Sequence, residues 1–352
     1  MSEPQTQNST DELTLAIDQT LEIIEQERER EIITRRFGLY ERKETLEQIG
    51  ELLGITRERV RQLEKAIMIR LRLAAAEHKI SALDTVEKQI VSYLSESGRV
   101  ARVNNLADAL LERTSKPVER SRVAFVAELA PQLTIVNEND DYYLSAGLSQ
   151  YGSDKDIKHN VDAVVKEIKK LGEPATPEKL HQTLSFEHPS HIRALASISK
   201  KLASLKDNWG LAKWPTVNPK NIRDKIYVIL SDGGKPMHFS EIADAIKDSS
   251  FKRRDVTTQA IHNELIKDKR FVLIGRGIYA LDDWGYKRGT VSDIISSVLS
   301  ESTEPLHRDE IVKRVLESRQ VKETTILLNL QSKPQFKRVA KATYTLADEA
   351  AS

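Results

Sequence analysis

Arg57, Glu58, Arg61, Gln62 and Lys65 are the residues whose types and spacing most suggest chemistry. At the helical period they fall on one arc, while Val60, Leu63, Ile67 and Leu71 fall on the opposite one. A guanidinium pairs with the O6 and N7 of guanine, a Gln amide pairs with adenine, and a Glu carboxylate accepts from the cytosine amino group. Three base-reading chemistries would then stand at the start of one helix, where recognition helices meet base edges in the major groove. A charged helix face is ordinarily just a solvated one, so composition alone leaves that plainer reading open.

The flanking residues supply the elements such a helix needs. Thr45-Leu46-Glu47-Gln48 has the form of a capping box, predicting a helix start. Leu46, Ile49 and Leu53 share one face of that helix, and Gly54-Ile55-Thr56 breaks it with a residue tolerant of positive φ and a fresh N-cap. Upstream, Leu13, Ile17, Leu21 and Ile24 form the apolar stripe of another helix. A further helix is predicted to run to Phe37 and end at Gly38.

The order of residues is more specific than their types. Arg28-Glu29-Arg30-Glu31-Ile32-Ile33-Thr34-Arg35-Arg36-Phe37-Gly38-Leu39, then Thr45-Leu46-Glu47-Gln48-Ile49-Gly50, then Ile55-Thr56-Arg57-Glu58-Arg59-Val60-Arg61-Gln62-Leu63-Glu64 resembles region 4 of sigma-70-type sigma factors, over about Asp11 to His78. The resemblance implies that Arg57, Glu58, Arg61 and Gln62 read a −35 promoter element in double-stranded DNA. It implies phosphate contacts from Arg28, Arg36 and Thr45, to which we add Lys65 from the same arc of the helix. It also implies a grip on the β flap of the bacterial RNA polymerase core. The aromatic-rich region that melts the −10 element in a complete sigma factor has no counterpart in the sequence, so autonomous promoter opening is not expected.

Beyond His78 a coarse plan repeats four times: an apolar helix, a turn, two further helices and a short β-rich stretch. The turn contains Pro174, Pro236 and Pro305 in the last three copies, and in two of them it reads Pro-x-His-x-x-Glu-Ile, at Pro236 to Ile242 and Pro305 to Ile311. The first copy lacks the Pro turn. The closing stretches, Tyr142-Tyr143-Leu144, Trp209-Gly210-Leu211, Ile278-Tyr279-Ala280-Leu281 and Thr343-Tyr344-Thr345-Leu346, suggest hairpin wings.

The expected organisation is a disordered leader at 1–10, the region 4-like helix-turn-helix at 11–79 and four winged-helix-like modules at 81–150, 155–217, 219–286 and 289–348. Asn221 to Trp284 further resembles the HARE-HTH domain, a winged-helix family also represented in the delta subunit of some bacterial RNA polymerases. Lys252, Arg253 and Arg254, with Arg276, form a possible second DNA contact in that module. Gly275-Arg276-Gly277 lies between two β-like runs, which suits a tight wing turn and not a phosphate-binding loop.

Composition narrows the classes. The 352 residues suffice for several small domains. Aromatics make up only 5% against 30% charged residues, so the cores must be aliphatic, as in small helical modules. With no cysteine there is neither a disulfide framework nor a thiolate metal site. His181, His188 and His191 lack a carboxylate cluster, and Pro189 argues against an ordinary helix there, so surface loop histidines are expected rather than a metal site. The polar N-terminus resembles neither a signal peptide nor a membrane span, so a cytoplasmic location is expected.

Net charge is only +1, yet 28–79 carries 13 Lys and Arg against 9 Asp and Glu, while 81–150 carries 7 against 10. Modules of opposite sign suggest different partners. No nucleotide-binding loop, zinc-protease pattern or nucleophile elbow is evident, so neither catalysis, a cofactor nor a small-molecule substrate is expected. The sequence therefore predicts a mainly α protein, with a helix-turn-helix followed by winged-helix modules with short β-hairpins, acting as a transcription regulator or sigma-like factor. Two alternatives stand beside it: a polymerase-binding adaptor without sequence-specific DNA reading, and the DNA-recognition component of a restriction or modification system.

Overall fold

The capping residues read from the sequence define the first elements. The computed structural model describes residues 3–251 and 255–347, with side chains described from Thr10 onward. Helix α1 spans Glu3–Glu22, so it starts inside the stretch expected to be a disordered leader. Helix α2, Glu27–Phe37, ends on Gly38 in the left-handed region at φ 65°. Helix α3, Leu46–Leu53, begins at Thr45, whose hydroxyl accepts from the Gln48 amide while the Gln48 side chain accepts from the Thr45 amide. Helix α4 is a long one, Arg57–Ala76, capped by Thr56.

The next stretch runs helix, strand, helix, helix, hairpin: α5 Ser81–Ser97, β1 Val100–Arg102, α6 Val103–Leu110, α7 Pro117–Leu129, β2 Leu133–Val136 and β3 Ser145–Leu148. The three strands pair antiparallel in the order β1-β3-β2. The order repeats in α8 Asp154–Leu171, α9 Pro177–His181, α10 Pro189–Ile198, β4 Leu202–Leu205 and β5 Asn208–Leu211, with a single bridge from Ala175 to Trp209 in place of the first strand.

It repeats again in α11 Ile222–Gly233, β6 Met237–His238, α12 Phe239–Asp248, α13 Thr258–Lys267, β7 Phe271–Gly275 and β8 Ile278–Leu281. The last copy is α14 Val291–Ser300, β9 Leu306–His307, α15 Arg308–Ser318, α16 Glu323–Ser332, β10 Phe336–Ala340 and β11 Thr343–Leu346. In each three-stranded copy the lone strand pairs with the second strand of the hairpin.

The Pro-x-His-x-x-Glu-Ile motif has a local cause. His238 and His307 close the short strands β6 and β9 and are the N-caps of α12 and α15. In the third copy the Glu241 carboxylate accepts from the His238 amide at 3.0 Å. The following Ile242 and Ile311 are fully buried. Motif conservation between the two copies is thus the conservation of a strand-to-helix joint.

Two expectations from the sequence are corrected. Tyr142-Tyr143-Leu144 is not the closing strand of the first copy, which lies just after it at β3. Instead Tyr142 bridges to Ser199, and the Tyr143 amide donates to the Ile198 carbonyl, so these residues join the first copy to the second. The Pro189 expectation also fails, because α10 starts at that proline. Proline is compatible with the first helical turn, and the His188 side chain accepts from the Ser190 amide as N-cap.

By packing the chain divides into two compact units, Met1–Lys213 and Trp214–Ser352. In the first, one apolar core runs without interruption from Leu13 on α1 through Ile67 and Leu71 on α4, Leu83 on α5 and Phe125 on α7 to Leu148 on β3. Helices α1, α2 and α4 therefore share a core with the acidic stretch that follows them, although the sequence places a boundary between them near position 80, while α3 packs on a separate small cluster of Ile32, Ile49 and Val60.

Candidate nucleic-acid interface

The turn between α3 and α4 is held by small, specific contacts. The Ile55 amide donates to the Gly50 carbonyl at 2.9 Å, and a Cβ on Gly50 would lie 2.7 Å from the Ile55 carbonyl oxygen. Gly50 is thus needed for close approach, whereas Gly54 is needed for its φ of 65° and has open space around it. Ile32, Ile49 and Val60, all fully buried, pin α2, α3 and α4 together beneath this turn.

That packing turns the first two turns of α4 outward. Arg57, Glu58, Arg59, Arg61, Gln62 and Lys65 are all exposed. Arg61 grips Glu58 through two bonds of 2.8 and 2.7 Å, and the Gln62 amide donates to the same carboxylate at 3.3 Å. The Arg61 hydrogen bonds hold the Glu58 carboxyl at about 2, assisted by Gln62 and the charge of Arg57. Arg57 pairs with Glu47 of α3 at 2.8 Å. These pairs are open to water, where ion pairs contribute little, so a nucleic-acid ligand can replace them at small cost.

The residues expected at phosphates are placed less uniformly. Thr45 is exposed at the start of α3. Arg28 is exposed and donates to the Leu53 carbonyl at 2.5 Å, closing the far end of α3. Arg36 is half-buried and paired with Glu64 of α4 at 3.3 Å. Lys65 shares the exposed face of α4. Arg276 is exposed at the turn between β7 and β8, within the other compact unit, and Lys252, Arg253 and Arg254 lie outside the described residues.

Sequence reasoning passed over Arg59, which stands exposed on the flank of the same helix and, among the described residues, makes no ion pair. Its signal was available: a third arginine, between Arg57 and Arg61, in the first two turns of α4. It also passed over Ile69 and Leu73, exposed at 56% and 59%, which extend the outward face of α4 with apolar side chains.

Residues 26–73 match the family described as Sigma-70, region 4. This segment is a sigma-70 region 4 domain. The RNA polymerase sigma factor RpoS of Coxiella burnetii (strain RSA 493 / Nine Mile phase I) is 51% identical to this chain over 47 residues. That stretch is 13% of this chain and 13% of that sigma factor, so the chain spans a small part of the length of its curated relative. The matched segment begins just ahead of α2 and ends near the end of α4. Helix α1 lies outside it, though it packs into the same core.

Among the described residues no group of His, Cys, Asp and Glu side chains could hold a metal ion, and no helix is long and apolar enough to cross a membrane.

Proposed function

We propose that this chain is a DNA-binding, sigma-like transcription factor in which α4 of the region 4 domain reads a −35-type promoter element. The observation that carries the reading is the exposed cluster of Arg57, Glu58, Arg61 and Gln62 on the first turns of α4, within the segment that matches region 4. Its side chains present guanidinium, amide and carboxylate groups to the same side, and these are the groups that read guanine, adenine and cytosine edges. Thr45 and Arg28, at the two ends of α3, supply phosphate contacts, and Arg59 and Lys65 add positive charge beside them. Bacterial RNA polymerase core, through its β flap, is the protein partner in this reading, and the location is the cytoplasm.

The four helix-strand-helix-helix-hairpin copies are read as winged-helix modules, the third of them of the HARE-HTH kind. They add binding surface and carry no catalytic role. Fluorescence anisotropy of the full chain on a −35-like duplex and on a scrambled duplex of equal length tests the reading. Tighter binding to the first supports it, and equal binding removes it.

One observation favours the adaptor reading as a second possibility. Arg57 and Arg61 already have carboxylate partners on the protein, so the exposed face of α4 is partly neutralised. Capture of core polymerase by a chain that shows no duplex preference would select the adaptor.

A further inference from the structure

The fourth copy has an uneven charge pattern. Between Glu323 and Asp348 the sequence holds Lys333, Lys337, Arg338 and Lys341 and no acidic residue. All four cations are exposed: Lys333 just past the end of α16, Lys337 and Arg338 on β10, and Lys341 at the turn into β11. Among the described residues none of them makes an ion pair, although cations on the other side of this copy do: Arg308 with Asp309 at 3.1 Å and Arg314 with Glu310 at 2.7 Å. Apart from Glu323 at the start of α16, the described acidic side chains of this copy lie on α14, on α15 and in the turn between them, and the hairpin carries cations and, among the described residues, no carboxylate.

The hairpin also departs from ordinary strand alternation. After the buried Phe336, the next four residues of β10 are all exposed, and the pairing with β11 shifts register between Arg338 and Ala340. Lys337 and Arg338 pair in regular register with Thr345 and Tyr344, ahead of the bulge, so they stand on opposite faces of the hairpin and both faces are open to solvent there. Beside the hairpin, α16 buries Ile326 and Leu330 and exposes Thr324, Leu328 and Gln331, one uncharged face with Leu328 at 63% exposure.

We infer that α16 and the β10–β11 hairpin form a second nucleic-acid site, which takes the phosphate backbone of duplex DNA. Four exposed cations without carboxylate partners, on one hairpin and the turns that flank its first strand, are the groups that counterion release from a phosphate backbone requires. The duplex form follows from the aromatic residues: the only Phe and Tyr of this copy, Phe336 and Tyr344, are each 7% exposed and belong to its core. Single strands are usually held by bases stacked on exposed aromatics, and this surface has none to offer. The choice of DNA over another polyanionic duplex rests on the promoter-reading proposal for α4.

The test uses the full chain carrying Arg57→Ala and Arg61→Ala, which removes the α4 reader, on a scrambled DNA duplex and on its single strand. Affinity is measured against salt before and after adding Lys337→Ala, Arg338→Ala and Lys341→Ala, which are exposed changes checked by an unaltered melting curve. At about 0.9 unit per phosphate, the log-log slope on duplex is expected to flatten by about 2.7 units. Replacing Lys337 and Lys341 by Arg should leave it unchanged. An unaltered slope after the alanine changes, or tighter binding to the single strand than to the duplex, overturns the inference. Because the probe is scrambled and the α4 reader is absent, loss of −35 preference in the native chain would sink the promoter reading without touching this result.

Discussion

Glu58 is held by its neighbours on the exposed face of α4 that is proposed to read DNA. The Arg61 hydrogen bonds lower its carboxyl to about 2 from an ordinary 4.5. A depressed carboxylate contributes its interaction fully above its ordinary range and loses it as pH falls through the folded value. The Glu58–Arg61 pair should therefore persist down to about pH 4.5 and break only as pH approaches 2. Carboxyl-carbon NMR titration should place Glu58 well below the other exposed glutamates, and Arg61→Ala should return it to the ordinary range. A normal titration in the native chain would mean that the pair does not form in solution. Arg28 has a double role, since it closes α3 and is proposed to touch phosphate. Arg28→Ala should flatten the salt dependence of duplex binding by about 0.9 unit of log-log slope. A lower melting temperature with an unchanged slope would leave it only the first role.

At the scale of elements, the turn between α3 and α4 depends on two glycines for unrelated reasons, which substitutions should separate. Gly54→Asn keeps a residue that tolerates the left-handed region, in open space, so stability should change by less than about 1 kcal/mol. Gly50→Ala puts a methyl 2.7 Å from the Ile55 carbonyl and should cost about 1–3 kcal/mol while displacing α4. Chemical denaturation of the two variants checks the order, and a harmless Gly50→Ala would show the turn to be slack. Much of this was legible in sequence: Gly38, the Thr45–Gln48 box, Gly54 and the buried arc of α4 all follow from local rules. The Gly50 contact was not, because its cause is a carbonyl in the next element. Helix α10 was missed for a related reason, since Pro189 read as a breaker is, at a first turn, compatible with a helix. Tyr142 to Leu144 were misplaced because a pair of tyrosines ahead of a strand looks like a strand end until its partner, Ser199, is known.

For the molecule as a whole, the shared core of the first compact unit is what sequence pattern could not reveal. Each helix shows its apolar stripe, but not which neighbour covers it. Phe125 of α7 is fully buried with its ring 4.8 Å from Phe37 of α2, and Arg122 donates to the Leu39 carbonyl at 2.7 Å and to the Thr14 hydroxyl at 3.0 Å. Residues well outside the region 4 match therefore hold its helices in place. Phe125→Ala should cost about 3–5 kcal/mol and should weaken duplex binding through α4, although it lies far along the chain from the reader. Thermal unfolding of this variant, read beside its duplex affinity, checks both effects, and unimpaired binding at lowered stability would make the region 4 helices self-sufficient. The central claim is that α4 distinguishes DNA sequences through its outward side chains. The most direct measurement is the affinity ratio between a −35-like and a scrambled duplex for the full chain, native and with Arg57→Ala and Arg61→Ala together. The ratio is expected to fall by roughly five- to a hundredfold for each lost base contact, with binding to the scrambled duplex much less affected. Equal losses on both duplexes would contradict base reading and leave these arginines as phosphate contacts.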